Sequence, residues 1–276
     1  MKIAANPKKL RAFKREVWSY YEKHRREMAW RERPTPYHVV VSEIMLQQTQ
    51  VDRVKIRFAS FMKRFPTWKS LAGASTHEVL QEWSGLGYNR RGLYLKRIAE
   101  VVAKKGEEHL TTEESLLELP GIGPNTAGSI LAFAFNKPIP FIETNIRSVF
   151  IHSFFNDTQE KISDSDIFPL IEKTLDTKNP REWYYALMDY GSYLKKLHPN
   201  PSRRSAHHVR QPAFKGSNRE LRSGILKMIM NKKVSTDSIT RQFAKAWSRD
   251  RIKKNLDDLI KEGFIEKKKG FFQIAV

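Results

Sequence analysis

The sequence predicts a mainly α-helical protein in two parts. These are a helical body over residues 1–213 and a small, strongly basic domain over residues 214–276. Three observations carry this prediction. Apolar residues recur at helical spacing in one segment after another, the breaks between segments are short turns built on glycine and proline, and a ribbon pattern is confined to residues 263–276 around Lys267-Lys-Lys-Gly270. A length of 276 residues with 40% hydrophobic content supplies a real core and excludes a fibrous or disordered chain.

Residues 7–26 carry Leu10, Phe13, Val17, Trp18 and Tyr21 on one helical face, with basic residues opposite. Pro34 and Pro36 exclude a helix interior, so residues 30–37 are expected to be extended. Helix resumes near Tyr37, with Val39, Val40, Ile44, Met45 and Leu46 as core. It also carries Glu43, which on composition alone is an ordinary surface position, and the run Gln47-Gln-Thr-Gln50. Residues 115–119 are apolar at helical spacing, Gly121 and Gly123 permit a tight hairpin, and residues 126–135 resume the helical pattern. A helix-hairpin-helix of this kind lets backbone amides approach a phosphate with no Cβ in the way, while the second helix turns its positive end to the same anion. The competing reading is a plain helix connection. Glu143 follows the apolar segment 138–142 and precedes Thr144, Asn145 and the helical pattern Ile146, Val149, Phe150. Its carboxylate therefore sits at a helix start, where acids also serve merely as caps. Beyond residue 214, segments 219–230, 236–247 and 249–261 read as helices, and with a two-stranded ribbon over residues 263–276 they suggest a winged helix.

Fifty Lys and Arg against thirty Asp and Glu give a formal net charge of +20. The excess is uneven, +6 over residues 1–194 and +14 over residues 195–276. Such a field suits a polyanion, of which nucleic acid is the commonest, although Lys253, Lys254 and Lys267 to Lys269 also fit a solvated face. With no long apolar run and no secretory signal, a cytoplasmic protein, nucleoid-associated if prokaryotic, is expected, with no membrane partner. No cysteine is present, so disulfides, thiolate zinc sites and cysteine-ligated clusters are excluded; His207 and His208 are two adjacent loop residues without further ligands, and no metal site is expected.

Several stretches together carry a resemblance. Thr35-Pro-Tyr-His-Val-Val-Val-Ser-Glu-Ile-Met-Leu-Gln-Gln-Thr-Gln-Val51, Trp83-Ser-Gly-Leu-Gly-Tyr-Asn-Arg-Arg91, Leu119-Pro-Gly-Ile-Gly123 with a carboxylate some twenty residues on, and Ala186-Leu-Met-Asp-Tyr-Gly191 occur in order. Over about residues 28–222 the chain resembles the MutY-like A/G mismatch adenine glycosylases of the helix-hairpin-helix DNA glycosylase superfamily. The resemblance implies the helix-hairpin-helix glycosylase fold and double-stranded DNA with a mismatch or damaged base as partner. A monomer is expected.

It also implies roles. Glu43, Glu143 and Asn145 match catalytic positions, and Gln48 and Tyr88 match residues that enter the base stack when the target nucleotide leaves it. Gly121, Gly123, Asn125 and Thr126 belong to the phosphate-binding hairpin, and Arg203, Arg204 and Arg210 lie in a loop that can meet phosphates. The expected chemistry hydrolyses the bond between base and deoxyribose. Glu43, with a raised pKa, protonates the base, and Glu143 stabilises the sugar cation.

Departures from the family pattern matter as much. The places matching the family's four cluster cysteines hold Lys195, Ser202, Ser205 and Gln211, so no iron-sulfur cluster can form; a monovalent cation at the hairpin is the one bound group left open. Glu143 stands where the family has Asp, and the extra methylene moves the carboxylate by about 1.5 Å. Family lyases carry a lysine where Asn125 stands, so hydrolysis without strand nicking is expected. The family's usual C-terminal domain, which inspects 8-oxoguanine, is not apparent. Adenine opposite guanine or 8-oxoguanine is the expected target. The alternatives are excision of thymine, uracil or another damaged base, and a catalytically silent mismatch-binding protein.

Overall fold

The computed structural model describes residues 6–156, 158 and 160–275. Its helices are α1 (Pro7–His24), α2 (Ala29–Glu32), α3 (Pro36–Leu46), α4 (Val51–Arg64), α5 (Trp68–Ala72), α6 (Thr76–Trp83), α7 (Arg90–Lys105), α8 (Glu113–Leu117), α9 (Pro124–Phe135), α10 (Thr144–Phe154), α11 (Asp164–Thr174), α12 (Pro180–Leu197), α13 (Asn218–Asn231), α14 (Thr236–Phe243) and α15 (Arg249–Lys261). Three short strands accompany them among the described residues, β1 (Val234–Ser235), β2 (Ile265–Lys268) and β3 (Phe271–Ile274). None of these helices is long and apolar enough to cross a membrane. The chain divides into two compact units, one of Met1–Glu43, Glu107–Glu118 and Ile122–Arg210, the other of Ile44–Gly106, Leu119–Gly121 and Gln211–Val276.

In the first unit α1, α10 and α12 pack through aromatic side chains. The Phe13 ring lies 5.1 Å from Phe150, 5.0 Å from Phe154 and 6.1 Å from Trp183, centroid to centroid, and all four residues are buried. Such tilted and edge-on pairs fix rotation about the helix axes as well as burying area. α12 comes close to α10 at Gly191, where a Cβ would stand 2.6 Å from the Asn145 carbonyl oxygen. One expectation is corrected here. Residues 30–37 are not extended throughout, because Ala29–Glu32 forms one helical turn before Pro34, with Trp30 buried, and Pro36 already opens α3, so that only residues 33–35 stay out of helix. The prolines set where that turn ends and leave its start to Trp30 packing.

In the second unit α6 and α7 share one apolar cluster with the C-terminal segment. Leu80 and Leu93 join Leu221, Ile225, Leu256, Leu259, Phe264 and Phe272. That segment runs helix, strand, helix, helix, strand, strand, which is the winged-helix order, with antiparallel strands in the order β1-β3-β2. Val234 pairs with Phe272, and Ile265 with Ile274. The ribbon is therefore three-stranded where two strands were expected. β1 has only two residues, too few to leave an alternating pattern. The turn between β2 and β3 places Lys269 and Gly270 at φ of 50° and 83°, the left-handed pair that a two-residue hairpin requires.

Candidate active site

Glu43 lies on α3, a helix whose neighbouring positions Val39, Val40 and Val41 are almost wholly buried. From α9, Ser129 donates its hydroxyl to Glu43 Oε2 at 2.6 Å, and the same hydroxyl oxygen is 2.9 Å from the Thr126 carbonyl. Ser129 is itself 4% exposed. Burial pushes the Glu43 carboxyl up from 4.5 to about 7; the Ser129 hydroxyl works against this, the negative charge of Glu143 adds to it, and Arg31 opposes it. A carboxyl poised there is half protonated near neutral pH, which is the condition for a general acid. The surface-position alternative for Glu43 is therefore set aside.

Glu143 is the N-cap of α10, with extended backbone at φ of −132°. Its Oε1 accepts from the backbone N–H groups of Asn145 at 2.6 Å and Ile146 at 3.1 Å, and its Oε2 accepts from Asn145 Nδ2 at 3.3 Å. The residue is thus a cap in fact, and the cap and catalytic readings describe one carboxylate with both oxygens held at the helix start. Asn145 contributes more than its amide donor. Its Oδ1 accepts from Lys195 Nζ at 2.8 Å, and its Nδ2 also lies 3.7 Å from Met188 Sδ.

A charge cluster is centred on Asp189 in the same unit. Asp189, 1% exposed, accepts from Arg26 Nε at 2.7 Å and backbone N at 2.9 Å, and from both terminal nitrogens of Arg31 at 3.0 Å. The Arg31 guanidinium stacks 4.4 Å from the Tyr185 ring centroid. Ser129, Arg31, Asp189 and Lys195 are residues of the candidate site whose contacts sequence reasoning missed. Two left a signal, since Ser129 is the one hydroxyl in the apolar run Ala127 to Phe135, and Asp189 is the one acid in Ala186-Leu-Met-Asp-Tyr-Gly191. Nothing in the sequence shows that Arg31 would turn inward.

In the second unit, Gln48 and Tyr88 both sit in turns with left-handed backbone, φ 54° and 48°. Non-glycine residues held there are strained, and such strain persists only when the surroundings over-determine it. Arg91 supplies that constraint. Buried to 7% exposure, it donates to the carbonyls of Ile44 and Met45 at 2.9 Å each, to that of Gln47, to Thr49 Oγ1 at 2.9 Å and to the carbonyls of Leu86 and Gly87 at 3.2 and 3.1 Å. Burial lowers its pKa to about 10. Gln48 accepts from Gln211 Nε2 at 3.0 Å, and the Tyr88 hydroxyl accepts from Arg219 Nη1 at 2.9 Å.

At the hairpin Gly121 takes φ of 80°, and a Cβ there would stand 2.5 Å from the Tyr94 ring, so only glycine fits. A Cβ on Gly123 meets nothing within 4 Å. Gly121, Gly123 and Asn125 are exposed and Thr126 is partly buried at the start of α9. Of the three loop arginines, Arg203 and Arg210 are exposed, whereas Arg204 donates inward to the carbonyls of Phe155, at 2.6 Å, and Thr158. Residues 200–206 are ordered by packing, with Ser202 and Ser205 buried and a short parallel bridge from Ile162 to Ser205. Among the described residues no group of three or more His, Cys, Asp or Glu side chains is placed to hold a metal ion.

A helix-hairpin-helix followed by a capping carboxylate, with a second, half-buried carboxyl in its field, defines a class. Residues 41–170 match the HhH-GPD superfamily of base excision DNA repair proteins. The fold agrees, since a solved thymine-DNA glycosylase of thermostable character superposes with a TM-score of 0.58 over 67% of this chain and 87% of its own, at 23% identity. An adenine DNA glycosylase of Mycolicibacterium smegmatis is 30% identical over 91% of this chain and 92% of its own length, and that of Rattus norvegicus is 34% identical over 66% of this chain and 37% of its own. The chain belongs to the adenine DNA glycosylase family of the HhH-GPD superfamily.

Proposed function

We propose that the protein is a monofunctional DNA glycosylase that excises adenine mispaired with guanine or 8-oxoguanine by hydrolysing the N-glycosidic bond. The observation that carries this reading is the Glu43 carboxyl, held near a pKa of 7 beside Ser129 and within the field of a second carboxylate fixed on a helix N-terminus. Glu43 protonates the flipped base, so that it leaves without an accumulating negative charge. Glu143 faces the cationic sugar, and water completes the hydrolysis. Asn125 cannot form a Schiff base, which leaves hydrolysis without strand cleavage. Gln48 and Tyr88, clamped in strained turns, fill and stack in the space that the extruded nucleotide vacates.

Glu143 provides a two-sided test. Glu143→Gln removes the charge and is expected to lower single-turnover excision by roughly 10²-fold or more, the scale of one electrostatic donor or acceptor at a transition state. Glu143→Asp shortens the side chain to the family's residue and is expected to retain or raise activity. Full activity in Glu143→Gln would leave this residue as a helix cap alone.

The basic C-terminal segment is expected to bind phosphates. Truncation is the wrong probe, because residues 221–272 share a core with Leu80 and Leu93, and removing them would expose that apolar face. Lys253, Lys254, Lys267 and Lys269 are exposed and none belongs to the core cluster, although the Lys267 ammonium lies 5.4 Å from the ring centroid of the buried Phe272. Replacing all four by Ala should weaken binding to matched and mismatched duplexes alike and lower the log–log salt slope by about 0.9 for each phosphate no longer neutralised. An unchanged slope would remove the segment from the DNA-binding surface.

A further inference from the structure

Lys195 occupies the place where family members carry the first cluster cysteine, and in this fold it is turned into the site rather than toward solvent. Its ammonium donates to Asn145 Oδ1 at 2.8 Å. The arrangement has a structural cause. Met188, Gly191 and Lys195 recur at intervals of three and four along α12 and so share a face. Gly191 lets the α12 backbone come so near that a Cβ would lie 2.8 Å from the Asn145 Cβ, and Met188 Sδ and Lys195 Nζ then contact the Asn145 amide from successive turns.

We propose that Lys195 is a positioning residue for the sugar-facing carboxylate, acting through Asn145. The proposal rests on the reading of Glu143 as the carboxylate that stabilises the sugar cation. A lysine ammonium has donors and no acceptor, so it can bind only the carbonyl oxygen of the Asn145 amide. That choice turns Nδ2 to the other side, where it donates to Glu143 Oε2 at 3.3 Å. Without the ammonium the amide oxygen loses its donor, and the long 3.3 Å bond from Nδ2 to Glu143 Oε2 is left to oppose rotation of the amide away from the carboxylate. Lys195 thus fixes the sense of a chain running from ammonium to amide to carboxylate. The charged groups facing Lys195 are Glu143, which favours its protonated form, and Arg26, which opposes it; burial, the largest effect, lowers its pKa.

Four variants test this: Lys195→Met, which keeps the length and removes both donor and charge, Lys195→Arg, Asn145→Ala, and the pair Lys195→Met with Asn145→Ala. On a duplex that the wild type cleaves, Lys195→Met should lower the single-turnover rate at saturating enzyme by about 10- to 100-fold, the scale of a misplaced catalytic group. Its affinity for uncleaved duplex should stay near the wild-type value, and Lys195→Arg should recover most of the rate. The double variant should be no slower than Asn145→Ala alone, since a residue that acts through another adds nothing once that other is gone. A Lys195→Met rate equal to wild type, or an additive loss in the double variant, would overturn the proposal. If the wild type excises no base from any duplex, the functional reading fails separately. The Asn145 side-chain amide resonances, identified by their loss in Asn145→Ala, then decide: a large shift in Lys195→Met supports the contact, and no shift refutes it.

Discussion

Glu43→Gln is expected to reduce excision by about 10²- to 10⁴-fold while leaving DNA affinity intact, since general acid catalysis is of that size and the amide keeps the shape. The Gln side-chain oxygen still accepts from Ser129, so the α3–α9 contact survives; what disappears is the proton. The pH dependence has a definite sign. With the Glu43 pKa raised to about 7, the acid is protonated below that pH, so wild-type excision should be level in mildly acid solution and fall as pH rises through about 7. Glu43→Gln should lack this limb. The Ser129 hydroxyl favours the ionised form of Glu43, so Ser129→Ala should move the limb to higher pH. Stability follows the same linkage. The folded state holds this proton above the ordinary value of 4.5, so Glu43 contributes stability at low pH that is lost as pH rises to about 7. A wild-type rate flat from mildly acid to alkaline pH, with Glu43→Gln fully active, would remove Glu43 from the chemistry.

The largest effect on stability is expected at Asp189. Its carboxylate is buried and compensates Arg31, whose side chain is only 5% exposed, as well as Arg26. Asp189→Ala leaves the Arg31 charge buried without its counter-ion, which costs about 3–5 kcal/mol. Against a total of roughly 5–15 kcal/mol, that change should bring the unfolding midpoint down sharply. Urea denaturation followed by circular dichroism measures it. A change far smaller than that would mean that water or a rearranged Arg31 satisfies the charge. The same variant should reduce excision even where it remains folded, because Arg31, stacked on Tyr185, also acts on the charge of Glu43.

What the sequence made legible followed from local pattern for the elements and from the family resemblance for the roles of the site residues. The helix-hairpin-helix was readable because Gly121 and Gly123 break two apolar helical runs, and the capping carboxylate because Glu143 precedes Thr144 and Asn145 at the start of another. The tail was readable as helices and a ribbon because its periodicities are strong; β1, two residues long, was not, because its partner β3 lies far along the chain. The pairs that complete the site were illegible for the same reason. Ser129 meets Glu43 across 86 residues, Asp189 meets Arg31 across 158, and Lys195 meets Asn145 across 50. No periodicity encodes such contacts, and each depends on packing that is settled only in the folded chain. Arg91 closes the stretch that begins at Trp83, yet no local pattern shows that its one guanidinium holds the carbonyls of both turns carrying Gln48 and Tyr88.

The central claim, adenine hydrolysis from a mispair, is tested most directly with one panel of end-labelled duplexes. It would hold adenine opposite guanine and opposite 8-oxoguanine, thymine and uracil opposite guanine, and matched controls, each incubated with the protein and then divided into portions with and without hot alkali. The expected result is a break at the adenine position, only after alkali, in the two adenine mispairs. Excision of thymine or uracil in place of adenine, a nick before alkali, or no product from any duplex would contradict it.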